Sequence, residues 1–264
     1  MSHARLLGTV LVLTSLGTLA ACSGPHTPTP PPLHGTSTRF GYDPEDGPDR
    51  WADLSDEYAT CRTGVAQSPI DLPTADDASG SISDGLSLDY PDTIDRDDVV
   101  NNGHSLQLTT SADASIQLDG HEWNLTQMHF HAPSEHTLGD VPAEAEFHFV
   151  HQDASGATVV LAVLAREGEM NMAWQPFVDT TTTPADETVS TDIDLRRLIP
   201  TALYHLRYQG SFTTPPCTEG VTWLVLDEPV ALGAAQLAAL RSAYDHNARP
   251  VQPLGDREVQ HVEG

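Results

Sequence analysis

Three histidines fall in two short apolar stretches: His129 and His131 in Gln127-Met128-His129-Phe130-His131, and His148 in Glu146-Phe147-His148-Phe149-Val150. Side chains two apart on a β-strand share a face. His129 and His131 therefore point together, and His148 is set to join them from a second strand. Gln127, Glu146 and Val150 share those faces, whereas Met128, Phe130, Phe147 and Phe149 turn the other way, into a core. A lone histidine on a strand is ordinarily surface or satisfied core. A third histidine seventeen residues beyond His131, with phenylalanines backing both strands, sets this group apart. Three imidazoles converging from two strands suit a tetrahedral zinc ion that keeps its fourth position for water. The chemistry expected is that of a metal-activated water molecule.

Such a tripod needs paired strands to hold it, and the sequence supplies them. Extended segments are read at 86–90, 105–109, 115–119, 127–131, 145–151, 159–164, 204–208 and 221–226. Asp119-Gly120 signals a hairpin between two of them. Helical period is scarce; the best case runs from Leu232 to Tyr244, with Ala235, Leu237, Leu240 and Tyr244 as one stripe and Asn247 and Pro250 ending it. Composition is even from residue 40 to 260, without internal repeats, which fits one mainly β domain over 40–264.

The N-terminus reads differently. Arg5 precedes an apolar run from Leu6 to Ala20, too short for a comfortable membrane span, which ends in Leu19-Ala20-Ala21-Cys22. Residues 1–21 are expected to be a secretory signal whose end resembles a bacterial lipoprotein box, with Cys22 as the lipidated residue. An ordinary cleaved signal followed by a free thiol is the alternative. Residues 22–39, with Pro30, Pro31 and Pro32 in a row, read as a semi-extended tether that would hold the domain near a membrane. Cys61 and Cys217 then remain in an exported chain and are expected to form a disulfide.

The 264 residues include 38 acidic against 12 basic side chains, for a net charge of −26, and every basic one is arginine. That charge argues against nucleic acid and anionic lipid head groups as partners. Acidic pairs such as Asp76-Asp77 and Asp97-Asp98 read as a solvated shell. Adaptation to high salt and a GC-rich genome would each favour such a composition. The oligomeric state is left open.

Beyond the tripod, several motifs occur in order: Phe40-Gly41-Tyr42, Gln67 to Asp71, Asn101-Asn102-Gly103-His104, Gln127 to His136, Ala145 to His151, Gly210 to Pro216, Val221-Thr222-Trp223 and Asn247 to Leu254. Together they resemble the alpha-class carbonic anhydrases, over nearly the whole stretch from Phe40 to about Gln260. The resemblance implies a large, mostly antiparallel twisted sheet of about ten strands with short peripheral helices. It implies reversible hydration of carbon dioxide to bicarbonate by a zinc-bound hydroxide, with His129, His131 and His148 as the Zn2+ ligands. Gln127 and Glu146 would orient ligand rings. Thr213, donating to Glu135, would accept from the hydroxide and aim it at the substrate, with Thr214 positioning bicarbonate. His104 would shuttle the proton out. Val150, Val163, Val221 and Trp223 match the family's apolar substrate pocket, together with Phe212, which stands where a leucine is common. Ala132 replaces the tryptophan common after the second ligand. Tyr42, Asn102 and Gln107 would order cavity water, and His136 would be a buried hydrogen bonder. His121, His151, His205 and His246 receive no catalytic role. Two other readings are a catalytically dead relative used as a binding module, against which the full ligand set argues, and a zinc-capturing lipoprotein, for which His26 and His34 are too sparse.

Overall fold

The computed structural model describes residues 39–263 apart from 75–77 and 111. The expected signal, Cys22 and nearly all of the tether lie outside the described residues, as do Asp76 and Asp77. No helix among the described residues is long and apolar enough to cross a membrane.

Ten strands form one continuous path: β1 (Ser81–Ile82), β2 (Asp95–Asn101), β3 (Leu106–Thr109), β4 (His121–His131), β5 (Ala145–Gln152), β6 (Thr158–Glu167), β7 (Thr188–Ile193), β8 (His205–Ser211), β9 (Glu219–Leu226) and β10 (Gln260–Val262). Across the sheet they run β7-β2-β3-β4-β5-β6-β9-β8-β10-β1. Only β6–β9 and β10–β1 are parallel pairs on this path; the others are antiparallel. Ser87–Asp89, Ser115–Leu118 and Val230–Leu232 extend the same sheet, and a separate small sheet joins 71–72, 137–138 and 141–142. The fold is mainly β, a large mixed sheet with few short helices.

The hairpin at Asp119-Gly120 forms as its residues demand. Both adopt positive φ, 53° and 75°, the pairing a two-residue type I′ turn requires and which Gly tolerates without cost. The helix α1 spans Ala234–Ala243. Its buried face differs from the expected stripe, for Gln236 is buried with Leu237 and Leu240 while Ala235 is exposed. Gln236 reaches back to cap the Gly233 N–H and also bonds both backbone groups of Asn171, so its polar ends are satisfied.

Period two divides the chemistry from the core. On β4 and β5, Met128, Phe130, Phe147 and Phe149 join Val159, Leu161 and Val163 of β6 in the larger apolar cluster, where Trp174 and Phe177 cover Phe147. Val150, Val160, Val221 and Trp223 belong to a second cluster. The acidic pair Asp97-Asp98, expected to be solvated, lies in strand β2, where Asp98 is exposed but Asp97 is buried, with β7 along the outer edge. Cys61 and Cys217 are joined by a disulfide across 156 residues, a closure for which chain entropy gives about 4–5 kcal/mol.

Among the buried polar groups, His151 shares a 2.7 Å hydrogen bond with the Tyr90 hydroxyl, and burial pulls its pKa down to about 3. A base depressed this way in the folded state stabilises the fold above its unfolded pKa, near 6.5, and that contribution is lost as pH falls toward the folded value. Between about pH 7 and pH 5 the loss from this one ring should be about 2 kcal/mol. Denaturant unfolding of the wild type and of His151→Gln at both pH values checks this: the variant should lose less stability. Equal losses would show that His151 titrates normally.

Candidate active site

The register of β4 against β5 assembles the site. His129 pairs directly with His148, and His131 with Glu146. The three imidazole centroids form a triangle with sides of 5.0, 5.1 and 4.7 Å. Each ring has one nitrogen committed to an acceptor. His129 Nδ1–H donates to Gln127 Oε1 at 2.9 Å, His131 Nδ1–H to the Asn247 carbonyl at 2.7 Å, and His148 Nε2–H to Glu146 Oε1 at 2.9 Å. These acceptors fix the tautomers, leaving Nε2 of His129 and His131 and Nδ1 of His148 with lone pairs. One potential ligand atom from each ring lies within 4.8 Å of the others. His131 Nε2 is buried without a hydrogen-bond partner among the described residues. Burial holds all three rings neutral: the pKa of His129 is driven well below the usual value, that of His131 to about 4, and that of His148 downward. Three neutral nitrogen donors around an open centre match a tetrahedral metal site with one free position.

Glu146 organises the surroundings. Its Oε2 accepts the backbone N–H groups of Glu135 and His136 at 2.9 and 2.8 Å; its Oε1 accepts from His136 Nδ1 at 2.6 Å as well as from His148. Burial would raise its pKa, but His136, His148 and these hydrogen bonds outweigh it and keep the carboxylate charged. His136 continues to the Tyr208 hydroxyl at 2.6 Å, which meets Ser68 Oγ at 2.9 Å. Glu135 Oε1 accepts the Arg249 N–H at 2.9 Å. Burial raises Glu135 to about pH 7, against the pull of His148, Arg249 and the Thr213 side chain.

The tripod forms the floor of a cavity of about 40 Å3, also lined by Phe40, Tyr42, Asn102, His104, Val150, Val160, Phe212, Thr213, Thr214 and Trp223. With roughly 10–15 Å3 needed per water, this holds a few waters or a small linear molecule. His104 stands at its side, its ring stacked on Phe40 at 4.2 Å with 7° between planes.

The family description "eukaryotic-type carbonic anhydrase" matches residues 46–263. The chain belongs to the alpha-class carbonic anhydrase family. It is 38% identical to a carbonic anhydrase of Pectobacterium carotovorum over 230 residues, covering 85% of this chain and 91% of the relative. With one from Klebsiella pneumoniae it shares 40% over 229 residues, covering 84% and 91%. The alpha-carbonic anhydrase of Thermovibrio ammonificans, solved with the inhibitor sulfanilamide, superimposes with a TM-score of 0.80 at 38% identity, covering 85% of this chain and 99% of that one. Carbonic anhydrases catalyse the reversible hydration of carbon dioxide, and this chain is one of these enzymes.

Against that family frame the cavity walls differ from the sequence expectation at two positions. Val163 does not reach the cavity: it packs with Phe147 and Leu161 on the opposite face of the sheet. Val160, three residues earlier and of opposite parity, lines the wall in its place. Val221 packs with Val150, Val160 and Trp223 but stands behind the lining surface. Tyr42 and Asn102 face the cavity; Gln107, opposite His129 in register, is not part of the lining. The Asn247 carbonyl escaped sequence reading because its contact spans 116 residues; its place in the Asn247-to-Leu254 motif was the available signal.

Glu146 is therefore expected to control metal retention through His148. Replacing a carboxylate that orients a ligand typically costs about 10–100-fold in affinity. Glu146→Gln should weaken zinc binding by that order in a chelator-competition titration. An unchanged dissociation constant would mean that the carboxylate does not set the ring.

Proposed function

We propose that this enzyme works as a zinc-dependent carbonic anhydrase, with His129, His131 and His148 as ligands, Thr213 and Glu135 orienting the attack, and His104 exporting the proton. The observation that carries this reading is the set of three neutral rings, each with one nitrogen tied down and the other free toward a common centre. Bound there, zinc would supply the Lewis acidity that brings the pKa of a water near 7, a value for which carbonic anhydrases are themselves the reference case.

The remaining steps fall to the chain's own groups. Thr213, whose side chain helps to lower the Glu135 pKa, would give its hydrogen to the buried Glu135 Oε2, present only lone pairs to the cavity, and so accept from the attacking oxygen and orient it. Glu135 serves as acceptor because the Arg249 N–H holds its other oxygen. Val150, Val160, Phe212 and Trp223 offer carbon dioxide an apolar wall, while Thr214 supplies a hydroxyl for bicarbonate. His104, an imidazole at the side of the cavity, takes the proton through water and passes it to buffer. We further propose export to an oxidising compartment, which the disulfide supports, with residues 1–21 as signal and Cys22 as lipid anchor.

Stopped-flow measurement of carbon dioxide hydration tests the mechanism. Zinc-loaded protein should hydrate rapidly and zinc-stripped protein should not. His104→Ala should lose about 100-fold in turnover at saturating substrate, with added imidazole restoring part of it. An impaired His104→Ala enzyme indifferent to imidazole would remove His104 from the role, and a folded, zinc-replete but inactive wild type would remove the mechanism.

A further inference from the structure

Asn247 is 2% exposed, and its hydrogen bonds reach residues at least 115 positions away in sequence. Besides the carbonyl that receives His131, its carboxamide makes three hydrogen bonds. Oδ1 accepts the Ala132 N–H at 2.9 Å, and Nδ2 donates to the carbonyls of Phe130 and His104, both at 3.0 Å. Phe130 and Ala132 flank His131. The side chain thus grips the ligand strand on both sides of one ligand and, with its remaining N–H, holds the backbone of His104.

A second fastening runs in parallel. Ser105 Oγ donates to the Phe130 carbonyl at 2.6 Å and lies 3.2 Å from the Phe130 N–H. The turn itself is shaped by Asn102 Oδ1, which accepts the N–H groups of His104 and Ser105 at 2.9 and 2.8 Å. A buried amide with both N–H groups and its oxygen engaged is a rigid joint, because breaking any contact leaves an unpaired buried polar atom.

We infer that the Asn247 carboxamide is a positioning residue that sets His104 relative to the histidine triad, so that proton export and metal retention share one anchor. The inference rests on the proposed shuttle role of His104. A misplacement of about 1 Å can cost on the order of 100-fold in a step that depends on alignment, and a turn held to the ligand strand by a side chain of the C-terminal segment is protected against such drift.

Asn247→Asp tests it. The substitution keeps shape and the acceptor for Ala132 but sets a charged oxygen against two carbonyls it can no longer donate to. Expected are a loss of about tenfold in kcat at low buffer with kcat/KM much less affected, partial recovery with imidazole, and a zinc dissociation constant raised about tenfold by chelator competition. In a His104→Ala background, Asn247→Asp should bring no further loss of kcat while still weakening zinc. If the aspartate variant fails to fold, Asn247→Ser, which removes the long-reach donors without adding charge, is read on the same measurements. A folded Asn247 variant with wild-type kcat, imidazole response and zinc affinity, beside an impaired His104→Ala enzyme, overturns the inference alone. An unimpaired His104→Ala enzyme overturns the shuttle reading and the inference with it.

Discussion

Three imidazoles cannot face one another across a small cavity inside a protein unless each is kept neutral and held at one orientation. Here burial provides neutrality, and an oxygen acceptor on the far nitrogen provides orientation. The rest of the domain serves this condition. Strand pairing sets His129 opposite His148, but rotation of each ring is stopped by a different kind of acceptor: an amide, a backbone carbonyl and a carboxylate. Of these, the carboxylate is the most demanding. Glu146 stays charged in the interior only because four donors surround it, and three of those come from Glu135 and His136 in the turn after the ligand strand. The turn and the ligand are therefore solved together.

Much of this was legible from residue order. Alternation along two strands placed the ligands on one face and the phenylalanines on the other, and the Asp-Gly pair marked its hairpin. Legibility stopped where partners are distant or where parity had to be judged without a register. Val163 was placed in the pocket by its likeness to the family's apolar wall; on a strand where Val159, Leu161 and Val163 alternate with Val160 and Ala162, a match displaced by three residues lands on the opposite face, and only the neighbouring strand decides which set faces which cluster. Strand β2 was missed because its run of aspartates has the composition of a loop; pairing on both sides and burial of Asp97 override that propensity. Gln236 was passed over for Ala235 because a hydrophobic count does not see a glutamine whose amide is fully bonded.

Two arginines, Arg249 and Arg207, are engaged inside the architecture. Arg249 is nearly buried, donates to Gln67, Ser68 and Cys61, lies over the Trp51 ring and offers its own N–H to Glu135. Burial lowers its pKa to about 10, with Glu135 and Tyr42 opposing the shift, so it remains a cation at neutral pH. Arg207 joins Asp84 and Asp119. The planar fork of arginine suits such multidentate joints better than a lysine ammonium would.

The disulfide turns the chain between Cys61 and Cys217 into a covalent ring. Inside that ring lie all three candidate ligands, Glu135, Glu146, His104, Thr213 and Thr214; Asn247 reaches in from outside it. A protease that cuts one peptide bond within the ring yields two pieces that remain a single molecule, with every one of those groups still aboard. A cut between Cys217 and Asn247 has no such safeguard, because it detaches the segment that carries the acceptor for His131 and the support for Glu135. The same bond that closes the fold thus divides the chain into a stretch where backbone damage is contained and a C-terminal stretch where it is not.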